Sequence, residues 1–159
     1  GYELLLTMDC DFTHSPEYIF DFLHNRSRAD VIVGSRYLKK DSLATWSLFR
    51  KSLTRLGHFF TSELLDMPYD ASNAFRLYNL QSIDRHLFSL VQSEGYAFFF
   101  ESLFILHVNG KKVFEIPIGL PSRAHGDSKM TWKDGMESAR LMLSLYGRKL
   151  FNSQSLRLK

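Results

Sequence analysis

Residues 4–11 read Leu-Leu-Leu-Thr-Met-Asp-Cys-Asp, an apolar run that ends in two carboxylates with one residue between them. The run is short, and the helix-start signal Ser15-Pro16-Glu17 follows it, so we predict a buried β-strand. Asp9 and Asp11 then lie at the strand's carboxyl end, where open α/β sheets bind their ligands. Two carboxylates this close repel each other, and a hard divalent cation between them would relieve the repulsion. The alternative is a strand that ends in a solvated acidic turn, with Asp11 or Thr13 as a cap.

The composition is that of one globular domain. The 159 residues are 45% apolar and 23% charged, which permits a sizeable core and argues against disorder. The net charge of +3 and the pI of 9.0 suit phosphorylated ligands or an anionic membrane surface. They fall short of the dense basic patch of a nucleic-acid-binding protein, so we expect no nucleic-acid partner.

The single cysteine, Cys10, excludes an internal disulfide and a cysteine-based zinc site. No apolar stretch approaches the ~18 residues of a membrane span, and no signal peptide is recognisable. The sequence starts at Gly1, directly before the predicted core strand. We therefore expect a chain that lacks its amino-terminal portion.

A second buried strand is predicted at 30–34, after a helix that ends near Asn25. Strand, helix and strand in this spacing predict a βαβ unit, whose two strands are neighbours in a parallel sheet. Arg36 follows the second strand directly. We therefore expect Arg36 close to Asp9 and Asp11.

The apolar spacing of residues 46–65 predicts a long helix. Arg50 and Thr54 lie four residues apart and share one of its faces. A different face is apolar and consists of Phe49, Leu53, Leu56, Phe60 and Leu64.

The rest of the chain predicts a loop from Asp70 into a short strand, helices at about 82–92 and 99–108, a strand at 113–118 and a helix at about 133–151. Pro117 favours an edge position for the last strand. Glu101 stands among apolar residues, so we expect it to be paired or to lie at the border of a site. The segment 119–131 is a long loop rich in Gly, Ser and charge, a composition typical of functional loops.

The last helix, 132–151, is amphipathic and either packs on the domain or lies on a membrane surface. Residues 152–159 are predicted to be a frayed basic tail.

Four segments, taken in order, resemble a known family. They are Met-Asp-Cys-Asp-Phe-Thr-His-Ser-Pro-Glu (8–17), Asp-Val-Ile-Val-Gly-Ser-Arg-Tyr (30–37), Asp70 to Tyr78, and Glu-Ile-Pro-Ile (115–118) followed by Arg123 and Gly-Asp-Ser-Lys-Met (126–130). This order resembles the polyprenyl-phosphate sugar transferases of glycosyltransferase family 2, the dolichol-phosphate mannosyltransferase type. The resemblance covers residues 1 to about 131.

The resemblance implies an α/β fold of the GT-A, Rossmann-like kind, with a mixed, mainly parallel sheet flanked by helices. Residues 1–131 would be the carboxyl-terminal part of that domain. The implied activity is inverting transfer of a sugar from a nucleotide diphosphate sugar to a polyprenyl phosphate, with Mg²⁺ or Mn²⁺ as cofactor. The implied location is cytoplasmic and peripheral to a membrane, against the membrane surface or a membrane-anchored subunit.

The resemblance also implies roles for the acidic residues. Asp9 and Asp11 would form the family's Asp-x-Asp motif and bind the donor diphosphate through the metal ion. Thr13 stands at a further ligand position, where a threonine hydroxyl is a poorer ligand than the Gln of many relatives. Asp11 and Asp70 are the catalytic candidates, with Asp70 near the acceptor phosphate or the sugar.

Four basic residues and one threonine are implied to hold the phosphates of donor and acceptor. These candidates are Arg36, Arg50, Thr54, Arg123 and Lys129. Glu101 would orient a loop arginine, and Arg76 is expected to be structural. Ala74 replaces a glycine of the family, which argues against a positive φ at that position.

One departure concerns the nucleotide. The family carries an earlier Pro-x-Tyr-Asn-Glu type segment that holds the base, and no such segment occurs in this sequence. We therefore expect this chain alone to bind nucleotide poorly. The alternative functions are a family 2 transferase with another acceptor, or a degenerate, non-catalytic homologue or fragment.

Overall fold

The computed structural model describes residues 1–11, 13–44, 46, 48–120 and 132–158, without the side chains of residues 49, 50 and 132–135. Strands and helices are mixed along the chain. They are β1 (Leu4–Thr7), α1 (Tyr18–His24), β2 (Val31–Ser35), α2 (Leu48–Leu65), β3 (Arg76–Asn79), α3 (Gly95–Val108), β4 (Val113–Pro117) and α4 (Trp132–Phe151). Short 3₁₀ helices span Arg85–Leu90 and Ser153–Leu156.

The four strands form one sheet in the order β1-β3-β2-β4. β3 is antiparallel to β1 and β2, whereas β2 and β4 are parallel. Three strands therefore run in one direction and β3 runs against them. The predicted fold class, a mixed α/β sheet flanked by helices, is confirmed and is compatible with an incomplete GT-A-like domain.

The prediction that β1 and β2 are neighbours is wrong. β3 lies between them, with Leu77 opposite both Leu6 and Ile32. Local strand–helix–strand spacing cannot reveal a third strand that arrives later in the chain and enters the gap. The edge position predicted for the strand with Pro117 is confirmed, because β4 is outermost in the order.

The core lies on both faces of the sheet because side chains alternate along each strand. Val31 and Val33 face a large cluster shared with α2, α3 and α4, which includes Leu65 and Leu103. Ile32 faces the opposite way, towards a smaller cluster. Its other buried members are Phe22, Phe75, Leu77, Ile116, Ile118 and Leu120.

Two helix predictions are revised by the structure. The segment 82–92 contains only the 3₁₀ helix, which starts where the carboxylate of Asp84 accepts from the backbone N–H of His86 at 2.9 Å. α3 begins at Gly95, four residues before the predicted start. Gly95 has φ +58°, a left-handed value that glycine adopts without strain, so the chain enters the helix there.

α2 and α4 each carry an apolar row that faces solvent. On α2 the row is Leu53, Leu56 and Phe60, which are 54%, 51% and 39% exposed. On α4 it is Met136, Leu143 and Leu150, which are 63%, 60% and 55% exposed, whereas Leu145 on the opposite side is fully buried. The two helices contact each other. We call these six residues the outer apolar rows.

The frayed tail predicted after residue 151 is wrong for residues 153–156. Leu156 is buried, and its carbonyl accepts from the side-chain amide of Asn109 at 2.7 Å. Asn109 also accepts from the backbone N–H of Leu158, so the tail is held on the end of α3. Within the described part of the chain, no helix is long and apolar enough to cross a membrane.

Candidate functional site

The strand directions bring four loops to one edge of the sheet. β1, β2 and β4 end at this edge and β3 begins there. The loops after β1 and β2 carry Asp9, Asp11 and Arg36, and the turn before β3 carries Asp70. Four of the predicted site residues therefore lie at one edge, although β1 and β2 are not paired. We call this the site edge.

Asp70 and Arg36 form a deeply buried ion pair at the site edge. Oδ2 of Asp70 accepts from the backbone N–H of Arg36 at 3.0 Å and from its Nε–H at 2.8 Å. The Asp70 carboxylate is fully buried and the Arg36 side chain is 10% exposed. Arg36 also donates from Nη2 to the Ser72 hydroxyl at 3.2 Å, so its guanidinium is held from two directions.

Asp70 has a second carboxylate oxygen, Oδ1, which is buried and has no hydrogen-bond partner among the described residues. Buried polar atoms of folded proteins are nearly always paired, so an unpaired carboxylate oxygen at a site edge indicates a position for a ligand donor. Oδ1 is suited to accept a hydrogen bond from a hydroxyl.

The turn before β3 is fixed by Asn73. Its side-chain amide donates to the carbonyl of Gly34 at 2.5 Å, and its Oδ1 accepts from the backbone N–H of Phe75. A Cβ at position 34 would lie 2.9 Å from Cδ1 of Ile118, so a larger residue than glycine there would require the Ile118 side chain to move. Ala74 is not among the described residues with positive φ, so this turn forms without a glycine.

Arg76 is structural, as expected. It is fully buried and donates to three backbone carbonyls: Asn73 at 2.7 Å, Ala71 at 2.7 Å and Phe99 of α3 at 2.6 Å. These bonds tie both ends of the 70–75 turn to α3. Arg76 therefore holds the backbone on which Asp70 is carried.

The loop after β1 is organised by His14, which is 3% exposed and stacks on Phe75. Its Nδ1 accepts from the backbone N–H of Asp9 at 2.8 Å, so a neutral ring carries its proton on Nε2. Burial lowers the pKa of His14, while the nearby Asp9 carboxylate opposes that shift. The ring thus fixes where Asp9 leaves the sheet.

Asp9 and Asp11 differ in their surroundings. The Asp9 side chain is 40% exposed. Oδ1 of Asp11 accepts from both the backbone N–H of Thr13, at 3.1 Å, and its hydroxyl, at 2.6 Å. This geometry matches the alternative interpretation, in which β1 ends in an acidic turn with Asp11 as a cap. The metal-binding role of Asp9, Asp11 and Thr13 therefore stays a prediction. Among the described residues, no group of three His, Cys, Asp or Glu side chains could hold a metal ion.

Arg36 lies within electrostatic range of the β1 loop. Burial acts to lower the pKa of Arg36, but Asp70, Tyr37 and the carboxylate of Asp9 together raise it. The guanidinium also lies 6.0 Å from the ring of Trp46. The guanidinium therefore stays charged between an acidic turn and an aromatic surface.

Thr54 on α2 lies beside the residue after Arg36. The hydroxyl of Tyr37 donates to the Thr54 carbonyl at 3.4 Å, and the Tyr37 ring stacks on His58 with centroids 4.0 Å apart. Arg50 occupies the helical position one turn before Thr54, but its side chain lies outside the described residues. Arg123 and Lys129 also lie outside them, so their roles stay predictions.

Glu101 is paired, as its burial requires. It is 1% exposed; Oε2 accepts from the backbone N–H groups of Gln92 and Ser93 at 3.0 and 2.8 Å, and Oε1 binds Arg148 of α4 at 3.1 Å. Glu101 thus orients the segment before α3 and anchors α4. The loop whose arginine Glu101 is predicted to orient lies outside the described residues, so that role stays a prediction.

Sequence reasoning gave no role to Glu115, His14 or Tyr37. Glu115 is on β4, and its Oε1 accepts from the backbone N–H of Asp70 at 2.7 Å. The sequence did offer one signal for Glu115, a charged residue in the middle of a short apolar strand. Nothing in the sequence showed that this strand ends beside the turn of Asp70.

The fold and the site edge define an α/β domain that presents carboxylates and a fixed arginine at the ends of its parallel strands. No family model matches the chain. Curated proteins do match. An undecaprenyl-phosphate mannosyltransferase of Micrococcus luteus is 29% identical over 132 residues, which are 82% of this chain and 54% of that protein. A polyprenol monophosphomannose synthase of Mycolicibacterium smegmatis is 31% identical over 133 residues, which are 82% of this chain and 50% of that protein.

Over 82% of its length the chain is therefore similar to these two polyprenyl-phosphate glycosyltransferases. It spans about half the length of the curated relatives it matches.

Proposed function

We propose that the full-length protein transfers a sugar, mannose in the first instance, from a nucleotide diphosphate sugar to a polyprenyl phosphate. The observation that carries the proposal is the juxtaposition of Asp9, Arg36 and Asp70 at the site edge of a chain whose relatives are named for mannosyl transfer to polyprenyl phosphate. The relatives are named for this activity, and we propose the same activity for this protein.

The chemistry suits such a site. An oxygen of the lipid phosphate attacks the anomeric carbon of the sugar, a new carbon–oxygen bond forms, and the bond from that carbon to the diphosphate oxygen breaks. The nucleoside diphosphate leaves with the electron pair, and attack from the opposite side inverts the configuration. The attacking phosphate is already ionised at neutral pH, so no strong general base is required. Positioning and charge neutralisation carry the rate.

Among the described residues, Arg36 is a cation that is suitably placed to bind phosphate. The Nε–H of Arg36 donates to Asp70, and this bond fixes the plane of the guanidinium. A planar guanidinium can donate two parallel hydrogen bonds to two oxygens of one phosphate. The unpaired Oδ1 of Asp70 would accept a hydroxyl of the sugar. Arg50, Thr54, Arg123 and Lys129 would supply further phosphate contacts, and Glu101 would position the loop that bears Arg123.

Asp9 and Asp11 fit a divalent ion that takes its other ligands from water and diphosphate, because Mg²⁺ is commonly held by one or two carboxylates. They would hold Mg²⁺ or Mn²⁺, with the hydroxyl of Thr13 as a weaker third ligand. Bound there, the ion would neutralise charge on the diphosphate. The partly exposed Asp9 carboxylate supports this assignment.

The outer apolar rows support contact with a membrane surface, where a polyprenyl chain resides. Leu53, Leu56 and Leu143 are each more than half exposed, and apolar helix faces of this kind insert into the headgroup region of a bilayer. The face of α2 that bears Thr54 and His58 points the other way, towards Tyr37. α2 would thus contact the lipid surface on one side and the site on the other.

The experiment is a transfer assay with the full-length protein. Radiolabelled nucleoside diphosphate mannose is mixed with undecaprenyl phosphate, and label in the lipid phase is counted. Undecaprenol, which lacks the phosphate, is the matched control acceptor. We expect label with the phosphate and none with the alcohol. Label in neither would contradict the proposal and favour a non-catalytic homologue, and label in a different acceptor would favour another family 2 transferase.

A further inference from the structure

We infer that Glu115 is a positioning residue: by holding the backbone of Asp70, it sets the orientation of the Arg36 guanidinium. This inference rests on the proposed function only for its effect on catalysis. Its structural part concerns three residues from three segments of the chain, joined in series by hydrogen bonds.

The first link runs from β4 to the turn before β3. Oε1 of Glu115 accepts from the backbone N–H of Asp70 at 2.7 Å. The two residues are 45 positions apart, so the bond fixes the turn against β4, the outermost strand. Asp70 is fully buried, and its N–H would lose its acceptor if this carboxylate were removed.

The second link runs from the turn to the end of β2. Oδ2 of Asp70 accepts from the backbone N–H and the Nε–H of Arg36. One carboxylate oxygen thus fixes both the backbone and the side chain of Arg36. A shift of Asp70 moves both, and the position of Asp70 depends on Glu115.

A carboxylate at position 115 is costly, which argues that it has a function. Burial raises the pKa of Glu115, the hydrogen bonds from Asp70 N–H and the Ser35 side chain lower it, and the Asp70 charge raises it again. The carboxylates of Glu115 and Asp70 thus lie within electrostatic range of each other. If the backbone N–H of Asp70 needed no acceptor, an apolar residue would suit position 115, which lies between Phe114 and Ile116.

The register of the sheet explains why Glu115 reaches this point. Glu115 lies opposite Val33 in the parallel pair of β2 and β4, two residues before the strand end at Ser35. Glu115 therefore lies near the end of β2, where its side chain meets Ser35 and the turn that carries Asp70. Phe114 and Ile116 point to the other face and pack in the smaller core cluster.

The test compares Glu115→Ala with Glu115→Gln in the full-length protein. Gln keeps an oxygen acceptor at the position, so it should retain the Asp70 bond and rescue the function, whereas Ala should not. Val113→Ala is the matched control, because it shortens a partly buried side chain on the same strand away from the site. All three variants are compared at equal folded fraction, measured by thermal unfolding.

The first readout is kinetic. We expect Glu115→Ala to reduce kcat/KM for undecaprenyl phosphate by about 10- to 100-fold, the effect of a misplaced binding group. Glu115→Gln should stay within about threefold of wild type, as should Val113→Ala. Glu115→Ala kinetics equal to those of Val113→Ala would overturn the positioning role, and so would an equal loss in Glu115→Gln and Glu115→Ala.

The second readout does not depend on activity. The Nε–H proton of Arg36, bonded to Asp70, should give a slowly exchanging NMR signal in the wild type and in Glu115→Gln, and should exchange rapidly in Glu115→Ala. An unchanged signal in Glu115→Ala would overturn the inference even if transfer is observed. If the wild type transfers no sugar, the proposed function fails, and this signal still decides the inference.

Discussion

Asp70 and Arg36 lie 34 residues apart in sequence, yet a single carboxylate oxygen of Asp70 accepts from both the backbone and the side chain of Arg36. The turn before β3 therefore determines both where β2 ends and how the guanidinium is oriented. Asp70 is fully buried, and its other oxygen has no partner among the described residues, which leaves that oxygen available to a ligand donor.

We predict that Asp70→Asn lowers the free energy of unfolding by about 3 kcal/mol, because it leaves a nearly buried guanidinium without its counter-charge. Urea unfolding of the full-length protein measures this. Asp66→Asn is the matched control: the Asp66 side chain is 72% exposed in its ion pair with Lys149, so the loss should stay below about 1 kcal/mol. Asn also tolerates the positive φ of Asp66. Equal losses in both variants would show that burial of the Asp70 pair is energetically unimportant.

Arg76→Lys should destabilise the protein although it preserves the charge. A lysine ammonium cannot reach the carbonyls of Asn73, Ala71 and Phe99 together, and a buried acceptor without a donor costs about 1–3 kcal/mol. We expect a loss of about 3 kcal/mol in chemical unfolding, with Arg85→Lys, an exposed position, as the control. Wild-type stability in Arg76→Lys would refute the bracing role.

The pH dependence of stability should include a contribution from His58. Burial lowers the pKa of His58 below its ordinary 6.5, although the Asp70 carboxylate opposes the shift. As pH falls below about 6.5 the unfolded chain binds the proton first, so stability is lost towards the lower folded pKa. His58→Phe keeps the stack on Tyr37 and removes this titration. The decline in the free energy of unfolding between pH 7 and pH 5 should therefore be shallower than in the wild type.

His86→Phe, at an exposed position, serves as the control for that measurement and should leave the decline as it is. A decline of wild-type steepness in His58→Phe would contradict the assignment. Some decline should persist in every case, because burial also lowers the pKa of His14 and His107.

The outer apolar rows should contribute to binding of lipid vesicles. We predict that the double variant Leu53→Ser and Leu56→Ser weakens binding of the full-length protein to anionic vesicles by about tenfold or more, since each leucine contributes up to ~2 kcal/mol when it leaves water. Co-sedimentation measures this. Phe20→Ser, which removes a 78% exposed aromatic on α1, is the control and should bind as the wild type does. Vesicle binding that is unaffected by the double variant would remove α2 from the membrane contact.

The sequence predicted the strand ends and their acidic and basic residues because those signals are local. An apolar run that stops at Asp9, or a Gly-Ser-Arg after a buried strand, can be recognised within ten residues. Glu101 was predictable for a similar reason: a glutamate inside an apolar helix must be paired. Its partner Arg148 was not, since it lies 47 residues away on another helix.

What could not be predicted depends on long-range arrangement. The position of β3 between β1 and β2 is fixed by pairing of residues that the chain reaches only after α2. The role of Glu115 follows from the β2–β4 register, which no local pattern encodes. The apolar row on α2 was recognised, but its exposure to solvent was not, because periodicity shows that a face is apolar and does not show what covers it.

Sugar transfer by Asp11→Ala beside wild type tests whether the acidic end of β1 takes part in transfer to the lipid phosphate. Radiolabelled nucleoside diphosphate mannose and undecaprenyl phosphate are the substrates, and thermal unfolding verifies that each variant is folded. Asp21→Ala, an exposed carboxylate on α1, is the matched control. We expect label in the lipid phase with wild type and Asp21→Ala and none with Asp11→Ala. Full transfer by folded Asp11→Ala would contradict this expectation.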